Sequence, residues 1–405
     1  MHPEALRLLP PGSDLAVVTE AVAAAMAGGQ PIAPLPADPA EASRVRTMLR
    51  PDRPVTEPDA AVIVSTSGST GTPKGVVLSR SAISASAAAT HARLGGAGHW
   101  LLALPTHYVA GLMVVTRAVA ADVGVSDVGS DLSGLARVLA ADDIGRSYLS
   151  LVPTQLARAL DDPDLSAALS RVDAVLLGGA AARPDLLRRA AEADIDVVTT
   201  YGMSETCGGC VYDGVPLQGV TISLADPDAD GVGRVLLGGP TVFSGYRLQP
   251  ELTGTTLTSP STGSGVAVRT NDRGRIVGDR LEVLGRFDDV IISGGLKIDL
   301  AAVERAARDW PALVGGELAM IGVPDEEWGS RLVCCAEQVG RPQPGAPADL
   351  AALQDFLTGR VARHERPREL IMMARLPRTS SGKIDRQRLL ADAIGSATRS
   401  EATVR

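Results

Sequence analysis

The chain has 405 residues, and its 45 % hydrophobic and 21 % charged residues are ordinary for a soluble globular protein of roughly two or three domains. The 39 basic and 47 acidic residues give a formal net charge of −8, which argues against a dedicated nucleic-acid-binding protein. No apolar run approaches the roughly 18 residues that span a bilayer, and the first residues lack the basic segment of a signal peptide. We therefore expect a cytoplasmic protein.

Strands and helices alternate through the first half of the sequence. The hydrophobic patterns and capping residues predict helices over residues 14–27, 79–94, 111–121, 154–160 and 184–193. They predict strands over residues 60–64, 100–105, 147–152, 172–177 and 195–200. This alternation is typical of a mainly parallel sheet with helices on both faces. After Gly231, short strands between Gly, Asp and Asn predict a small β-rich region, and from Gly285 a mixed pattern predicts a compact α+β domain.

The most informative segment is STSGSTGTPKGV at residues 65–76. Apolar strands precede and follow it, so its hydroxyl residues and glycines form a loop rich in hydrogen-bond donors that a phosphate can approach closely. A Walker-type loop is excluded, because Lys74 follows Pro73 rather than Gly and precedes Gly75 rather than a hydroxyl residue. A Ser/Gly-rich loop without a ligand is the alternative.

The four cysteines do not form a disulfide framework. Cys207 and Cys210 form a C-x-x-C pair, but no second pair and no paired His supplies further ligands, which disfavours a zinc or redox role. Cys334 and Cys335 are adjacent in an apolar strand, so we expect them to point to opposite faces as small core residues.

As a whole, the 65–76 segment resembles the phosphate-binding loop of the adenylate-forming superfamily, which includes acyl-CoA synthetases, luciferases and peptide-synthetase adenylation domains. Further segments with the same resemblance are GGAA at 178–181, YGMSET at 201–206, GRFDDVI at 285–291, SGGLKI at 293–298 and PRTSSGKIDR at 377–386. At 270–272 the chain has Thr-Asn-Asp where the superfamily has Thr-Gly-Asp, so Asn271 departs from the pattern while Asp272 keeps it.

The resemblance implies a fold with a large N-terminal domain, in which mixed and parallel sheets are covered by helices, and a small β-rich subdomain. A smaller, mobile α+β lid would follow. The domains implied are an N-terminal ATP- and acid-binding domain at 1–285, a hinge at 286–289, a C-terminal lid at 290–395 and a tail at 396–405. The superfamily is often dimeric, so a homodimer is a further expectation.

The resemblance also implies roles for individual residues. The ATP-binding residues would be Thr66, Ser67, Gly68, Ser69, Thr70, Gly71, Lys74, Gly179, Ala180, Tyr201, Thr206, Asp272 and Arg286. Glu205 would hold Mg²⁺, which takes one or two carboxylates together with phosphate oxygens. Lys383 would bridge the reacting carboxylate and the α-phosphate, Asp288 would be the hinge, and Gly294 and Gly295 would line the CoA tunnel. For Arg286 an ordinary surface ion pair is the alternative.

Three features narrow the resemblance to the o-succinylbenzoate–CoA ligases of menaquinone biosynthesis: a short N-terminal lobe, the stretch 107–117 and CGGCVYDG at 207–214. We expect His107, Gly202 and Met203 at the substrate acid, with His107 also a catalytic candidate. Arg117 would bind the second carboxylate through a charge-assisted bond, unless it lies on a solvated helix face. The partners implied are an aromatic dicarboxylic acid, ATP and CoA. Another acyl-CoA ligase, a carrier-protein-loading enzyme or a non-enzymatic nucleotide-binding protein are the alternatives.

Overall fold

The computed structural model describes residues 5–67, 73–141, 144–259, 265–313, 316–337, 348–379 and 383–402. The chain divides into two compact units. The first unit contains residues 1–270 and 276–282, and the second contains residues 271–275 and 283–405. The domain, hinge, lid and tail boundaries expected from the sequence stay predictions.

The described helices and strands up to Arg286 follow in chain order. The helices are α1 (Leu15–Met26), α2 (Pro39–Leu49), α3 (Arg80–Arg93), α4 (Val109–Ala121), α5 (Leu135–Leu139), α6 (Pro153–Leu160), α7 (Pro163–Leu169), α8 (Pro184–Glu192) and α9 (Pro250–Thr256). The strands are β1 (Arg7–Leu9), β2 (Ile32–Pro34), β3 (Ala60–Ser67), β4 (Pro73–Ser79), β5 (His99–Leu102), β6 (Val125–Asp127), β7 (Ser147–Leu151), β8 (Ala174–Leu177), β9 (Val197–Met203), β10 (Gly208–Tyr212), β11 (Val215–Pro216), β12 (Thr221–Ala225), β13 (Gly233–Gly238), β14 (Gly245–Tyr246), β15 (Leu257–Thr258), β16 (Ala267–Val277) and β17 (Arg280–Arg286).

A seven-stranded sheet with the order β11-β10-β9-β8-β7-β5-β6 is the centre of the first unit. Its strands from β9 to β6 are parallel, and β10 and β11 add an antiparallel edge. A second sheet has the order β1-β2-β3-β4-β14. Helices α1, α3 and α4 lie between these two sheets in the largest apolar core, while α5 to α8 cover the outer face of the seven-stranded sheet. This layering confirms the expected parallel sheet with both faces covered.

The β-rich region predicted after Gly231 belongs to a third sheet, which begins earlier in the chain, at β12. Its order is β12-β13-β16-β15, and β17 pairs with β16. Among the described residues no helix is long and apolar enough to cross a membrane.

The second unit is a small α+β structure, as the mixed pattern predicts. Its elements are β18 (Val290–Ser293), β19 (Leu296–Asp299), α10 (Leu300–Ala307), β20 (Leu318–Asp325), β21 (Gly329–Glu337), α11 (Leu350–Phe356), β22 (Glu369–Met373) and α12 (Arg386–Ala402). Strands β18 and β19 form a hairpin, and β20-β21-β22 form a sheet. Cys334 packs with α10 and α11 on one face of that sheet and Cys335 packs with α12 on the other, so the prediction of opposite faces is confirmed.

Three strand ends differ from their predictions by three residues. β3 continues to Ser67 instead of ending at residue 64, and β5 ends at Leu102 instead of residue 105. β9 continues to Met203, because Tyr201, Gly202 and Met203 pair with β10 in antiparallel register. The first half of the YGMSET motif therefore lies within the strand, rather than directly after it as the sequence predicts.

Candidate functional site

The carboxyl ends of parallel strands bring several predicted residues to one edge of the seven-stranded sheet. Strand β8 leads into Gly178 and Gly179, and the neighbouring strand β9 ends at Met203. A Cβ at Gly178 would lie 2.4 Å from the Thr200 hydroxyl oxygen, so glycine is needed where the strand ends approach. Gly179 has φ +82° and, like Ala180, is exposed. The predicted adenine-flanking turn thus presents its backbone at this edge.

The hairpin of β3 and β4 carries the predicted phosphate-binding segment. Thr66 pairs with Lys74, and Ser67 pairs with Pro73, so the residues on either side of the loop are adjacent. The predicted residues Gly68, Ser69, Thr70 and Gly71 lie outside the described residues.

Arg247 anchors the base of this hairpin. Its N–H donates to the Gly75 carbonyl oxygen over 2.7 Å, and its buried guanidinium donates to carbonyl oxygens of Leu49, Arg50, Arg53 and Pro54. No local sequence pattern identifies Arg247, because its partners lie almost two hundred positions earlier in the chain.

Glu205 lies in a single 3-10 turn, Ser204–Thr206, directly after β9. The Thr206 hydroxyl accepts a hydrogen bond from the Met203 N–H over 3.0 Å and lies 2.8 Å from the Gly208 carbonyl oxygen, to which it can donate. Thr206 is buried. These hydrogen bonds of Thr206 stabilise the turn that contains Glu205. ATP binding by Thr206 stays a prediction.

Tyr246 joins Glu205 to the phosphate hairpin. The Tyr246 hydroxyl donates to Glu205 Oε1 over 2.7 Å, and Lys74 Nζ lies 5.3 Å from the centroid of the Tyr246 ring. Burial and the Glu205 charge raise the pKa of Tyr246, so the phenol stays protonated and donates. No local sequence pattern identifies Tyr246, because a two-residue strand shows no hydrophobic periodicity.

A magnesium ion at Glu205 fits this donor set only together with a phosphate. Within the described ranges, no group of three or more His, Cys, Asp or Glu side chains could hold a metal. One half-buried carboxylate beside a predicted phosphate loop matches the preference of Mg²⁺ for one or two carboxylates plus phosphate oxygens.

Arg117 is a buried cation without an acidic partner among the described residues. The residue is 4 % exposed, and no described residue forms a hydrogen bond with its Nε. The guanidinium carbon lies 5.0 Å from the centroid of the Trp100 ring. The alternative of a solvated helix face is therefore wrong. An unpaired buried guanidinium is costly and is well suited to an anion that arrives with a ligand.

The positive charge of Arg117 affects the pKa values of two nearby residues, His91 and Cys207. Burial and then the Arg117 charge lower the pKa of His91, whose Nε2 accepts a hydrogen bond from Trp100 Nε1 over 3.0 Å. Burial and Cys210 raise the pKa of Cys207 to about 12, while Arg117 opposes the rise. Arg117 is thus within electrostatic range of the residue that follows the Glu205 turn.

The other predicted acid-site residues differ in what surrounds them. A Cβ at Gly202 would lie 2.1 Å from the Gly208 carbonyl oxygen, so pairing with β10 requires glycine there. His107 is half-buried with its ring centroid 4.1 Å from that of Tyr108, and burial lowers its pKa. Within the described part of the chain, no hydrogen bond or ion pair joins His107 to Glu205 or Arg117.

In the second unit, Arg286 contacts both Asp272, the predicted ribose-binding residue, and Asp288, the predicted hinge residue. Its guanidinium binds Asp288 through two hydrogen bonds of 2.8 Å, and its Nη1 lies 3.3 Å from Asp272 Oδ1. These carboxylates raise the pKa of Arg286. Burial raises the pKa of Asp288, but the hydrogen bonds and the charge of Arg286 lower it by more, so the net result is a lowered pKa. Asn271, where the superfamily has Gly, places its Nδ2 3.5 Å from Asp288 Oδ2.

Lys383 closes a loop whose residues 380–382 lie outside the described chain. Its carbonyl oxygen accepts a hydrogen bond from the Thr379 N–H over 2.8 Å. The side chain is exposed, yet desolvation by nearby atoms and the Arg286 charge lower the pKa of its ammonium, while Asp272 raises it. The described second unit therefore brings Lys383 near Asp272 and Arg286.

Gly294 and Gly295 form the turn between β18 and β19, with φ +57° and +79°. The Gly294 N–H donates to the Trp328 carbonyl oxygen over 2.9 Å, and a Cβ at Gly294 would lie 2.7 Å from the Trp328 ring. A Cβ at Gly295 would meet nothing within 4 Å. Only Gly294 is therefore required by packing as well as by backbone conformation.

The C-x-x-C pair lies in the apolar core of the first unit. Cys207 and Cys210 are free and buried, and burial raises the pKa of each thiol to about 12. Because the thiolate is the reactive and metal-binding form, both residues act as core side chains.

The chain is similar in sequence to known AMP-binding enzymes. The sequence profile of the AMP-binding enzyme family matches residues 7–247, and that of the AMP-binding enzyme C-terminal domain matches residues 311–383. A probable 2-succinylbenzoate–CoA ligase of Mycobacterium tuberculosis is 40 % identical over 399 residues, which cover 96 % of this chain and 98 % of that protein. A sulfoacetate–CoA ligase of Cupriavidus necator is 31 % identical and covers 83 % of this chain and 68 % of that protein.

A solved structure has the same fold. The O-succinylbenzoate coenzyme A synthetase of Bacillus subtilis, in complex with ATP and magnesium ion, superposes with a TM-score of 0.68 at 27 % identity, covering 82 % of this chain and 70 % of that chain. This likeness confirms the fold that the sequence motifs predict.

Proposed function

The chain belongs to the AMP-binding enzyme family, and from this premise we propose that it ligates 2-succinylbenzoate to CoA. As an AMP-forming acid–CoA ligase it consumes ATP, and the proposed products are o-succinylbenzoyl-CoA, AMP and pyrophosphate. The product would serve menaquinone biosynthesis. Action in the cytoplasm and a homodimeric state are parts of the same proposal.

The observation that carries the choice of substrate is the buried guanidinium of Arg117. 2-Succinylbenzoate has two carboxylates, of which one reacts and the other must be bound. A cation that lacks a described acidic partner and is 4 % exposed would supply a charge-assisted hydrogen bond for the second carboxylate. The full-length similarity to a probable 2-succinylbenzoate–CoA ligase supports the same choice.

In the proposed first step, an oxygen of the acid carboxylate attacks the α-phosphorus of ATP. The bond to pyrophosphate breaks and an acyl-adenylate forms. Thr66 and Lys74 would hold the phosphates, and Gly179, Ala180 and Tyr201 would contact the adenine. Glu205 would hold Mg²⁺, which when bound neutralises part of the phosphate charge.

Lys383 has the proposed catalytic role in this step. Negative charge accumulates as the carboxylate approaches the phosphate, and a positioned ammonium stabilises that charge most in the transition state. Asp272 would accept hydrogen bonds from the ribose hydroxyls, and Arg286 would donate to the ribose or phosphate. In the described structure Arg286 also binds Asp272 and Asp288, so its guanidinium is already oriented.

In the second step, the CoA thiol loses its proton and its sulfur attacks the acyl carbon, so that AMP leaves. Domain alternation about Asp288 would remove Lys383 and bring Gly294 and Gly295 to the thiol. His107, Gly202 and Met203 would line the acid site. The mixed anhydride activates the acyl carbon because the phosphate of AMP is a good leaving group.

A different acid with a second anionic group is the alternative that Arg117 also favours. The similarity to a sulfoacetate–CoA ligase fits such a substrate, because sulfoacetate carries a sulfonate beside its carboxylate. The geometry gives no specific support to carrier-protein loading or to non-enzymatic nucleotide binding.

An acid panel tests the proposal directly. CoA thioester formation is measured for 2-succinylbenzoate, for 4-oxo-4-phenylbutanoate, which lacks the aromatic carboxylate, and for sulfoacetate. We expect kcat/KM for 2-succinylbenzoate to exceed that for the monocarboxylate by about 10- to 150-fold, the size of one charge-assisted hydrogen bond. Equal values for the first two acids, or preference for sulfoacetate, would contradict the proposed substrate.

A further inference from the structure

Tyr246 lies between two predicted parts of the ATP site, the phosphate hairpin and the Glu205 turn. It pairs with Val76 on β4, beside the segment that carries Lys74. Its hydroxyl reaches Glu205 Oε1 over 2.7 Å. The main-chain N–H of Phe243, three residues earlier, donates to the Glu205 carbonyl oxygen over 2.9 Å. The short segment around β14 therefore contacts both the main chain and the side chain of Glu205.

The Tyr246 ring is held tightly in place. It is 6 % exposed, and it packs edge-on against Phe243 with ring centroids 4.9 Å apart. Its N–H donates to the Thr253 hydroxyl over 2.8 Å. A side chain fixed in this way can fix its hydrogen-bond acceptor as well.

We propose that Tyr246 is a positioning residue for metal binding, because it holds one carboxylate oxygen of Glu205 and leaves the other oxygen to the magnesium–triphosphate. This inference rests on the proposed function, in which Glu205 is the metal ligand. Among the described residues, Glu205 Oε2 has no hydrogen-bond donor. A phenol is a neutral donor, so it orients the carboxylate without cancelling the charge that attracts Mg²⁺. Partners that orient metal ligands typically contribute about 10- to 100-fold to metal affinity.

The same ring has a second contact that can be separated from the first. Lys74 Nζ lies 5.3 Å from the ring centroid, within the range of a cation–π interaction. Tyr246→Phe removes only the hydroxyl and keeps the ring beneath Lys74. Tyr246→Leu removes both, so a comparison of the two variants distinguishes the carboxylate contact from the ammonium contact.

The experiment is an Mn²⁺ titration of the full-length protein, followed by electron paramagnetic resonance, with α,β-methylene-ATP present and no acid or CoA. We expect Tyr246→Phe to weaken Mn²⁺ binding about 10- to 100-fold. Glu205→Ala should weaken it at least as much, and adding Tyr246→Phe to Glu205→Ala should have no further effect. We expect the loss of the ring contact in Tyr246→Leu to weaken binding of the metal-free nucleotide as well.

Tyr148→Phe is the matched control. It removes a tyrosine hydroxyl that lies within 3.0 Å of the carbonyl oxygens of Leu94 and Gly96, away from Glu205. We expect Mn²⁺ affinity in this variant to stay within about twofold, because the lost hydroxyl contacts the Leu94 and Gly96 carbonyl oxygens and shares no partner with Glu205. An equal loss in Tyr148→Phe would overturn the inference.

The remaining outcomes separate the inference from the proposed function. Unchanged or tighter Mn²⁺ binding in Tyr246→Phe, with a clear loss in Glu205→Ala, would overturn the inference and leave the proposed function standing. An additional loss when Tyr246→Phe is placed on Glu205→Ala would also overturn it, because the tyrosine would then act through another group. Unchanged binding in Glu205→Ala would overturn both the inference and the proposed metal site.

Discussion

Replacing Arg117 with leucine should lower activity with 2-succinylbenzoate while changing the free energy of unfolding only slightly. In the proposed complex Arg117 forms one charge-assisted hydrogen bond to the second carboxylate, and its loss would remove about 1.5–3 kcal/mol. At about 1.4 kcal/mol per tenfold change, kcat/KM for 2-succinylbenzoate should fall about 10- to 150-fold. For 4-oxo-4-phenylbutanoate, which offers no second carboxylate, kcat/KM should change little.

Stability should respond differently, because the described protein gives Arg117 no hydrogen bond at Nε. An unsatisfied buried donor costs about 1–3 kcal/mol, and the contact with Trp100 returns about 0.5–2 kcal/mol. Leucine removes both terms, so we expect the free energy of unfolding to change by less than about 2.5 kcal/mol.

The assays are CoA thioester formation with the two acids and urea unfolding of the ligand-free protein. Arg188→Leu is the charge control, since Arg188 forms an exposed ion pair with Glu192 on α8. A loss of about 3–5 kcal/mol, as expected for breaking a buried ion pair, together with unchanged kcat/KM, would refute the reasoning and make Arg117 a structural residue.

Three further predictions concern other parts of the chain. Lys383→Ala should slow adenylate formation by about 100- to 1,000-fold, while thioester formation from supplied acyl-adenylate continues. Single-turnover kinetics measure the two steps separately, and equal losses in both would contradict this prediction. Burial and nearby positive charge lower the pKa of His91, so the folded protein binds a proton at His91 less readily than the unfolded chain does. Stability should therefore fall as the pH drops below about 6.5. If the thermal unfolding midpoint of His91→Gln had the same pH dependence as that of the original protein, His91 would not cause the effect. Gly294→Ala should destabilise the protein more than Gly295→Ala, by about 1–3 kcal/mol, because only the first Cβ meets the Trp328 ring; equal denaturation midpoints would show that the ring moves aside.

The sequence predicts much of the fold because local patterns decide it. Helix α3 begins after Ser79, whose hydroxyl accepts the Ala82 N–H over 3.1 Å as a capping residue should. Cys334 and Cys335 lie on opposite faces because the side chains of a strand alternate. Such features depend on neighbours in sequence and need no knowledge of the rest of the chain.

The features that the sequence does not predict depend on distant residues. Tyr246 reaches Glu205 across 41 positions, from a strand of two residues. The burial of Arg117 follows from packing of α4 between two sheets, and its sequence equally fits a solvated face. The sequence does not predict that β9 continues to Met203, because the residues that pair with the glycine-rich strand β10 show no alternation of apolar and polar side chains.

Oxygen transfer tests the central claim of AMP-forming ligation most directly. 2-Succinylbenzoate labelled with ¹⁸O in the reacting carboxylate is turned over with ATP, Mg²⁺ and CoA, and the nucleotide products are analysed by mass spectrometry. Attack of the carboxylate on the α-phosphorus predicts one ¹⁸O in AMP for each thioester formed, with unlabelled pyrophosphate. Formation of ADP with ¹⁸O in inorganic phosphate, or thioester formation without labelled AMP, would contradict it.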